Sequence, residues 1–378
     1  MRLDIVVLGL SITSSWGNGH ATTYRSLLRA LRERGHRVTF LERDVPWYAA
    51  NRDLPAPSYC PVHLYDGIDQ LEREHAARVA AADLVIVGSY VPDGIAVGDW
   101  VLATAAGVTA FYDIDTPVTL ANLERGGAEY LLPRQIALYE LYLSFTGGPT
   151  LQRLESDFGS RCARALYCSV DADAYPCRRT RCDYDLGYLG TYSEDRQAPL
   201  EELMFETAVA WPRGSFIVAG PQYPASVCWP TNVEHVEHLA PPQHPGFYAS
   251  QRFTLNLTRA DMKRAGFSPS VRLFEAAACG TPVISDYWPG LEQLFVPGRE
   301  ILIARDADDV LRMLSQCDEG TRLQIGEASR RRVLSRHTSR HRAHELEQFF
   351  TEARDSSRTR RVRAATGGSA SIHRTMEG

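Results

Sequence analysis

Lysine is almost missing from this chain, since Lys263 is the only lysine among the 41 basic residues of a 378-residue sequence. Such an arginine bias is typical of a GC-rich genome and says little about binding chemistry. Acidic residues outnumber basic ones and leave a net charge of -5, which provides no overall attraction to polyanions. We therefore expect no nucleic-acid partner, and an anionic surface could bind only through a local basic patch.

Long apolar runs are missing too. The apolar run at 5–10 is typical of the longest ones, and it falls far short of the roughly 20 residues that span a bilayer. None of these runs follows a basic start, as it would in a signal peptide. We therefore expect a cytoplasmic protein without a transmembrane segment.

Closely spaced cysteine pairs are missing as well. The eight cysteines are scattered along the chain, which favours free thiols over a disulfide framework. Even the nearest group, Cys162, Cys168, Cys177 and Cys182, lacks the short spacing of structural zinc sites. The sequence therefore predicts no metal site.

Strand and helix patterns alternate from residue 5 onward. The apolar run at 5–10 is typical of a strand buried on both faces, a helical pattern covers 23–34, and another strand is predicted at 37–41. Further strands are predicted at 84–87, 108–112, 141–145 and 165–168. Residues 1–175 therefore predict an α/β domain with an open parallel sheet, that is, a Rossmann-like domain.

A second series of strands and helices follows the Cys-, Arg- and Asp-rich stretch 173–184, where apolar periodicity lapses. Strands are predicted at 186–189, 215–219, 233–239, 253–257 and 282–285, and helices at 199–210, 270–279 and 307–314. Residues 185–337 therefore predict a second Rossmann-like domain. A C-terminal helix at 338–354 could pack back across the first domain, and 355–378, with its arginine-rich run at 358–363, is predicted to be a disordered tail.

Loops at the carboxyl ends of the strands would border a cleft between two such domains. The most informative loop lies within 253–286. Ser268 is predicted to be the N-cap of a helix and Pro269 its first residue, which leaves the backbone N–H groups of Ser270, Val271 and Arg272 free. A helix start of this kind suits a phosphate group.

Positive charge surrounds the predicted phosphate site. Arg272 adds a guanidinium group and Ser270 a hydroxyl, while Arg259 and Lys263 lie just beyond the preceding strand. Each cation alone would be interpreted as half of a surface salt bridge. Together they favour binding of an anion such as a diphosphate.

Glu275 lies among small and apolar residues of the same predicted helix, where a carboxylate is costly to bury without partners. Two interpretations remain open. The structural one pairs Glu275 with Arg272, three residues earlier on the same helix face. The functional one has Glu275 accept hydrogen bonds from the ribose hydroxyls of a nucleotide.

Residues 268–286, SPSVRLFEAAACGTPVISD, resemble the donor-site segment of GT-B glycosyltransferases, most closely the CgeB-like (spore maturation protein) branch of the group-1 glycosyltransferases. Residues 185–193, DLGYLGTYS, resemble the opening strand and loop of the GT-B donor domain. The resemblance implies that a sugar nucleotide binds mainly to the C-terminal domain and the acceptor mainly to the N-terminal one. It also implies that the phosphate is stabilised without a metal ion, and it locates the nucleobase near 241–248.

One position departs from the pattern of the better-known retaining members of that family. They carry two glutamates eight positions apart, and Glu275 matches the second, which binds ribose. Phe267 occupies the position of the first. No carboxylate is therefore expected to contact the donor sugar from that position.

Three other loops complete the predicted site. Gly190, Thr191 and Arg196 follow a strand and are predicted to bind the donor diphosphate. Gly19 and His20 end the loop after the first strand, and His20 is a candidate base or substrate contact. Asp113 and Asp115 follow the strand at 108–112 and are expected to contact acceptor or sugar hydroxyls, with simple capping of the loop as the alternative.

The sequence as a whole predicts two Rossmann-like domains facing across a cleft and a transferase that moves a hexose-type sugar from a UDP- or dTDP-linked donor to a hydroxyl acceptor. We expect no cofactor or metal, and retention of configuration. The predicted catalytic residues are His20, Asp115, Arg259 and Lys263. Two alternatives remain: a sugar-nucleotide 2-epimerase of the same fold, and a catalytically silent sugar-nucleotide-binding or coat-associated structural protein.

Overall fold

The computed structural model describes residues 1–178 and 181–367. Within them, the first domain is built on a parallel sheet of seven strands in the order β3-β2-β1-β4-β5-β6-β7. The strands are β1 (Asp4–Gly9), β2 (Arg37–Arg43), β3 (Val62–Tyr65), β4 (Leu84–Gly88), β5 (Val108–Asp113), β6 (Leu141–Ser144) and β7 (Ala163–Ala165). The strand order reverses between β1 and β4, and in open sheets such a switch point opens a crevice at the carboxyl ends.

Helices cover both faces of this sheet. They are α1 (Gly19–Glu33), α2 (Pro46–Ala49), α3 (Ile68–Ala81), α4 (Gly94–Thr104), α5 (Thr116–Arg125), α6 (Pro133–Ile136) and α7 (Pro149–Ser156). The amphipathic helix α1 buries Tyr24, Leu28 and Leu31 against one face of the sheet. Because helices bury both faces, the central strands are apolar at successive positions rather than at alternate ones.

The second domain contains another parallel sheet, of six strands in the described residues, in the order β10-β9-β8-β11-β12-β13. Its strands are β8 (Tyr184–Leu189), β9 (Phe216–Ala219), β10 (Val233–Val236), β11 (Gln251–Asn256), β12 (Val283–Ser285) and β13 (Leu302–Ile303). Its first helices are α8 (Glu194–Leu200), α9 (Glu206–Ala210), α10 (His244–Ala249), α11 (Ala260–Ala265), α12 (Val271–Cys279) and α13 (Leu291–Leu294). The prediction of two Rossmann-like domains facing across a cleft is confirmed.

Most predicted elements are present, with shifted ends. The helix expected at 199–210 is α8 and α9 joined by a π-helical turn at Glu201–Phe205. The strand expected at 165–168 lies earlier in the chain, at Ala163–Ala165 (β7). After Ala165 the chain leaves the sheet toward the second domain. Sequence patterns missed β3 and β13, short edge strands whose partly exposed residues carry a weak apolar signal.

Three helices complete the described chain: α14 (Ala307–Gln316), α15 (Glu319–Arg336) and α16 (Ser339–Gly367). At the start of α16 the chain passes beside the linker between the domains, where Val170 donates to the carbonyl of His337 and accepts from Ser339 N–H. None of the helices at 1–178 and 181–367 has the length and apolar character needed to cross a bilayer. The domain boundary expected at 173–184 includes Arg179 and Thr180, which lie outside the described residues.

Helix α16 returns to the first domain, as the sequence suggested, and packs against α1. Its anchor is Glu347, which accepts hydrogen bonds from Arg34 at 2.5 and 2.7 Å and lies 2.7 Å from Nε2 of the buried His36. The helix continues to Gly367, so the expectation of disorder from 355 is wrong for 355–367. Packing against the first domain, including a hydrogen bond from Ser357 to Glu140, stabilises a segment that has little apolar periodicity. Residues 368–378 of the predicted tail lie outside the described residues.

Replacing Glu347 by Gln should loosen this anchor in a pH-dependent way. The hydrogen bond from Arg34 lowers the pKa of Glu347 from its ordinary value of 4.5 to about 2. The resulting stabilisation is therefore present above pH 4.5 and is lost as the pH falls toward 2. We expect Glu347→Gln to unfold at lower urea concentration at pH 7, with a loss on the order of 1 to 3 kcal/mol, and to approach the stability of the wild type only near pH 2.

The matched control is Glu352→Gln on the same helix. Glu352 pairs with Arg164 at 2.9 Å, but about half of its side chain is exposed to solvent, so little change is expected. Equal losses in the two variants, or a loss in Glu347→Gln that persists at low pH, would contradict the anchoring role of Glu347.

Candidate functional site

A cavity of about 500 Å³ lies between the two domains at the carboxyl ends of both sheets. Both domains line it with polar and charged side chains. From the N-terminal domain these are chiefly Ser15, Asn18, His20, Thr23, Tyr90 and Asp115, and from the C-terminal domain Thr191, Arg196, His244, Arg259, Ser270, Arg272 and Glu275. Gly19, Gly190, Ser268 and Val271, which were also predicted from the sequence, line the same cavity.

The N-terminus of α12 faces the cavity, but it begins later than predicted. Ser270 is the N-cap, its hydroxyl accepting from Arg272 N–H at 3.3 Å, and the helix starts at Val271. The prediction of Ser268 as N-cap and Pro269 as the first helical residue is wrong, because the Ser268 hydroxyl bonds to Thr146 of the other domain at 2.8 Å. In the described residues, the backbone N–H groups of Ser270 and Val271 have no hydrogen-bond partner. These groups, at the positive end of the helix dipole, are suited to an anion.

Arg196 and Arg259 line the same cavity and have guanidinium N–H groups without hydrogen-bond acceptors in the part of the chain that the structure describes. In each, the Nε atom is buried and has no hydrogen-bond partner among the described residues. The Arg259 guanidinium lies between two carboxylates, 3.7 Å from Asp115 and 3.7 Å from Asp195, while Arg196 donates one bond to the carbonyl of Thr191. A buried guanidinium N–H without an acceptor is costly, so both side chains are arranged for an anion in the cavity.

Arg272 lies at the cavity, as predicted, whereas Lys263 lies away from it. Arg272 lines the cavity, but its guanidinium donates to the carbonyl of Leu189 at 2.5 Å and to Asn256 at 2.9 Å, so it holds α12 against the sheet. Lys263 does not line the cavity; it is half-exposed and pairs with Asp286 at 3.5 Å. The catalytic role expected of Lys263 therefore stays a prediction.

Two glycines bring backbone close to the cavity. A Cβ atom at Gly190 would lie 2.7 Å from the Tyr188 hydroxyl and 2.9 Å from Arg272, and one at Gly220 would collide with the Gly190 carbonyl. Both residues line the cavity. Because no side chain fits at either position, a ligand can approach the main chain directly.

Glu275 is almost fully buried at the wall of the cavity, with 3% of its side chain exposed. Its carboxylate accepts hydrogen bonds from Tyr175 at 2.8 Å and Tyr248 at 3.0 Å, and His244 lies 3.8 Å away. The structural interpretation, in which Glu275 pairs with Arg272, is wrong because Arg272 is directed toward Leu189 and Asn256. Each carboxylate oxygen keeps a lone pair for a further donor.

His20 and Asp115 face each other across the N-terminal wall of the cavity, with Nε2 of His20 3.8 Å from the carboxylate. The Nδ1 atom of His20 is buried and unpartnered in the described residues. Burial acts to raise the pKa of Asp115, but the neighbouring His20 and Arg259 outweigh it and lower the pKa. Asp115 is therefore ionised at neutral pH, a weak base whose carboxylate can accept hydrogen bonds.

Asp113 does not reach the cavity. Its carboxylate is fully buried and accepts hydrogen bonds from Tyr142 at 2.6 Å, Thr119 at 2.8 Å and Asp115 N–H at 3.2 Å. The predicted contact of Asp113 with an acceptor is therefore wrong, because β5 ends at Asp113 and only Asp115 projects past the sheet edge. Burial raises the pKa of Asp113 to about 6 against the effect of its hydrogen bonds.

Phe267 lies in the seam between the domains. Its backbone is in the left-handed region at φ 49°, and its ring fills a slot between Gly148 and Gly290, where a Cβ on either glycine would collide with it. The Phe267 carbonyl accepts from Gly147 N–H at 2.9 Å, and its N–H donates to the Pro289 carbonyl at 2.7 Å. Left-handed backbone is strained for a bulky residue, so this conformation is held by contacts from both sides.

Several aromatic residues of the site were missed by the sequence analysis. Tyr90 has positive φ and places its ring between His20 and Tyr130, and Tyr175 and Tyr248 hold Glu275. Trp16 of the N-terminal domain packs on His238 of the other at a centroid distance of 4.3 Å. Nothing in their spacing distinguishes them from core aromatics, since they meet only after folding.

Metal-ligating groups are not clustered in the part of the chain that the structure describes: no three His, Cys, Asp or Glu side chains there are arranged to hold an ion. Asp113 and Asp115, two residues apart in the sequence, point to different surroundings, one into the core and one into the cavity.

Residues 196–348 match the family model described as glycosyl transferase-like. The whole fold is similar to solved structures at low sequence identity. Sucrose-phosphate synthase from Thermosynechococcus elongatus has 14% identity and a TM-score of 0.65, over 93% of this chain and 99% of that one. HepE of Anabaena in complex with UDP-glucose has 12% identity and a TM-score of 0.69, over 93% and 100%. An alpha-glucosyltransferase in complex with UDP-glucose and DNA has 12% identity and a TM-score of 0.71, over 93% and 100%.

A comparison with curated proteins finds no sequence match. The chain therefore has the α/β fold of GT-B glycosyltransferases, and most of its C-terminal domain matches a glycosyl transferase-like family.

Asp113→Asn should change how the stability of the protein depends on pH. Because the folded-state pKa of about 6 lies above the ordinary value of 3.8, the native state binds the proton more tightly. This contribution is complete below pH 3.8 and is lost, by roughly 3 kcal/mol at most, as the pH rises through 6. In urea unfolding between pH 4 and 7, the stability of the wild type should therefore fall relative to Asp113→Asn. Parallel pH curves for the two proteins would show that Asp113 is not protonated in this range.

Proposed function

We propose that this protein is a glycosyltransferase of the CgeB-like branch that moves a hexose-type sugar from a UDP- or dTDP-linked donor to a hydroxyl acceptor. The observation that carries the proposal is the pair of unpartnered Nε atoms of Arg196 and Arg259 in the cavity that α12 faces with its free N–H groups. A diphosphate would satisfy all of these donors at once. The family match at 196–348 includes each of these residues.

The donor has a natural orientation in this cavity. Its diphosphate would lie against Ser270, Val271 and the backbone at Gly190, between Arg196 and Arg259. Its ribose would then reach Glu275, which is about one turn further along α12 and can accept from vicinal hydroxyls. The nucleobase would extend toward Pro241 and His244, which line the same end of the cavity as Glu275.

Cleavage of the bond between the sugar and the diphosphate builds negative charge on the departing group. The fixed guanidinium groups and the N-terminus of α12 would stabilise that charge without reorganising, which is the largest catalytic contribution in many enzymes. Because protein cations serve this purpose, we propose that transfer requires no divalent metal.

We further propose that the reaction retains configuration. The bond from the anomeric carbon to the phosphate oxygen breaks, a bond to the acceptor oxygen forms on the same face, and the acceptor proton passes to the departing phosphate. The lowered pKa of Asp115 favours this route over one with Asp115 as general base. Asp115 and His20 would instead bind hydroxyls of the donor sugar or the acceptor. Phe267 occupies the position where the better-known retaining enzymes carry a glutamate, so that position offers no carboxylate for this purpose.

The stereochemistry can be tested by NMR of the product. We expect the product to have the anomeric configuration of the donor. An inverted product would assign the role of general base to His20.

The acceptor is proposed to be a hydroxyl compound other than a nucleic acid. The alpha-glucosyltransferase of similar fold binds DNA. A net charge of -5 gives this chain no comparable overall attraction to a polyanion.

The test is incubation of the protein with a panel of UDP- and dTDP-sugars, with and without hydroxyl acceptors and in the presence of EDTA, followed by measurement of free nucleoside diphosphate. A transferase releases it at a rate that rises with acceptor. A 2-epimerase releases none and converts the sugar nucleotide into its epimer, which NMR would detect. A silent binding protein does neither.

We expect the transferase activity to survive EDTA. Loss with EDTA and rescue by magnesium or manganese would overturn the metal-free mechanism, and Asp115 would be the first ligand to test.

Glu275→Gln separates the ribose-binding role from a structural one. A charge-assisted hydrogen bond contributes on the order of 1.5 to 3 kcal/mol, so affinity for UDP should fall by roughly tenfold or more. The amide can still bond to Tyr175 and Tyr248, so thermal stability should change little. Calorimetric titration and thermal unfolding on the same preparation measure both effects.

The control is Glu300→Gln, another buried carboxylate, which accepts from Val296 N–H and Arg332 and does not line the cavity. It should lose stability and keep wild-type affinity for UDP. If Glu275→Gln behaves like Glu300→Gln, the ribose-binding role is wrong.

A further inference from the structure

Asp113 is a buried carboxylate that the mechanism above does not use. It is the last residue of β5, has no solvent exposure and does not line the cavity. Taking a carboxylate out of water is costly, and a neutral Asn or Ser could accept a turn N–H at lower cost. Closing the turn therefore does not by itself explain why a carboxylate lies at this position.

The contacts of Asp113 point toward the cavity. One carboxylate oxygen accepts from Asp115 N–H and from the Thr119 hydroxyl, and the other accepts from the Tyr142 hydroxyl. Thr119 belongs to α5, and its hydroxyl lies 2.7 Å from that of Tyr130. Tyr130 in turn packs against Tyr90, which lines the cavity beside His20. One buried oxygen thus holds the turn after β5 and, through Thr119, the start of α5.

Asp115 is the residue at that turn. It occupies the N-cap position of α5, where its carbonyl accepts from Val118 and Thr119 N–H, and its side chain makes no capping bond. The backbone of Asp115 is held on both sides: its carbonyl accepts from α5, and its N–H donates to Asp113. The carboxylate of Asp115 is therefore free to face His20 and Arg259.

We propose that Asp113 is a positioning residue that holds Asp115 toward His20 and Arg259 and so acts on sugar transfer only through Asp115. This inference rests on the proposed function. It gives the hydrogen-bonded group of Asp113, Thr119 and Tyr142 a role in the chemical step and none in binding the nucleotide, since no member of the group lines the cavity. A displacement of the order of 1 Å in a reacting site can cost roughly a hundredfold in rate.

The experiment is a double-mutant cycle of Asp113→Ala and Asp115→Asn, with kcat for transfer at saturating donor and Kd for UDP measured for each protein. We expect Asp113→Ala to lower kcat at least tenfold and to change Kd for UDP less than twofold. On the Asp115→Asn background, Asp113→Ala should lower kcat no further. A purely structural role would instead lower kcat by the same factor in both backgrounds, and this additive result would overturn the inference.

If Asp113→Ala does not fold, Asp113→Asn replaces it in the cycle. Its amide oxygen can still accept from Asp115 N–H, but its amide nitrogen cannot accept from the Tyr142 hydroxyl. We therefore expect kcat to fall less than in Asp113→Ala, and the loss should again vanish on the Asp115→Asn background. If Asp115→Asn abolishes transfer, the cycle gives no answer and the Asp113 single variants are compared with the wild type instead. A lower kcat with unchanged Kd for UDP would support the inference. A parallel loss of UDP affinity would overturn it. A wild-type protein that neither binds UDP nor releases it would contradict the proposed function itself, which is a different outcome from an additive cycle.

Discussion

The seam between the domains is the constraint on which the geometry of the cavity depends. The short loop before α12 is hydrogen-bonded to the N-terminal domain at two successive residues, through the Phe267 carbonyl to Gly147 and through the Ser268 hydroxyl to Thr146. The Phe267 ring fills a slot that only glycine at 148 and 290 leaves open. The N-terminal end of α12 is therefore hydrogen-bonded to the domain that contributes His20 and Asp115, and this contact joins the two halves of the cavity.

Hydrogen-bond donors and acceptors are distributed unevenly between the two sides of the cavity. On the C-terminal side, Arg272 has acceptors for its guanidinium, whereas Arg196 and Arg259 keep buried N–H groups without partners. On the N-terminal side, Asp115 faces two cationic or potentially cationic groups, and its pKa is lowered in consequence even though burial opposes this. The cavity thus holds surplus donors where a diphosphate would lie and a surplus acceptor where hydroxyl groups would lie.

The sequence was a good guide wherever one local pattern determined the outcome. Apolar runs predicted the central strands of both sheets, because strands covered on both faces need apolar residues at every position. Strand ends identified the loops that border the cavity, so Gly19, His20, Asp115, Gly190, Arg196 and Arg259 all lie in it. The sequence was a poor guide where two segments of the chain could bond to the same side-chain group. Ser268 has the composition of an N-cap, but Thr146 of the other domain takes its hydroxyl, and the helix begins at Val271 instead.

By itself, the sequence determined the two α/β domains, the strand-end loops and the residue types available for an anion and for hydroxyl groups. These follow from local periodicity and from chemistry carried by single residues. Only the tertiary structure decided which member of a pair reaches the cavity: Asp115 and not Asp113, Arg259 and not Lys263, and Glu275 held by two tyrosines rather than by Arg272. It also decided that 355–367 forms a helix, because the packing surface for that segment comes from residues about 200 positions away in the chain. The reason in each case is that burial and hydrogen-bond partners are set by contacts between distant segments, which no local pattern records.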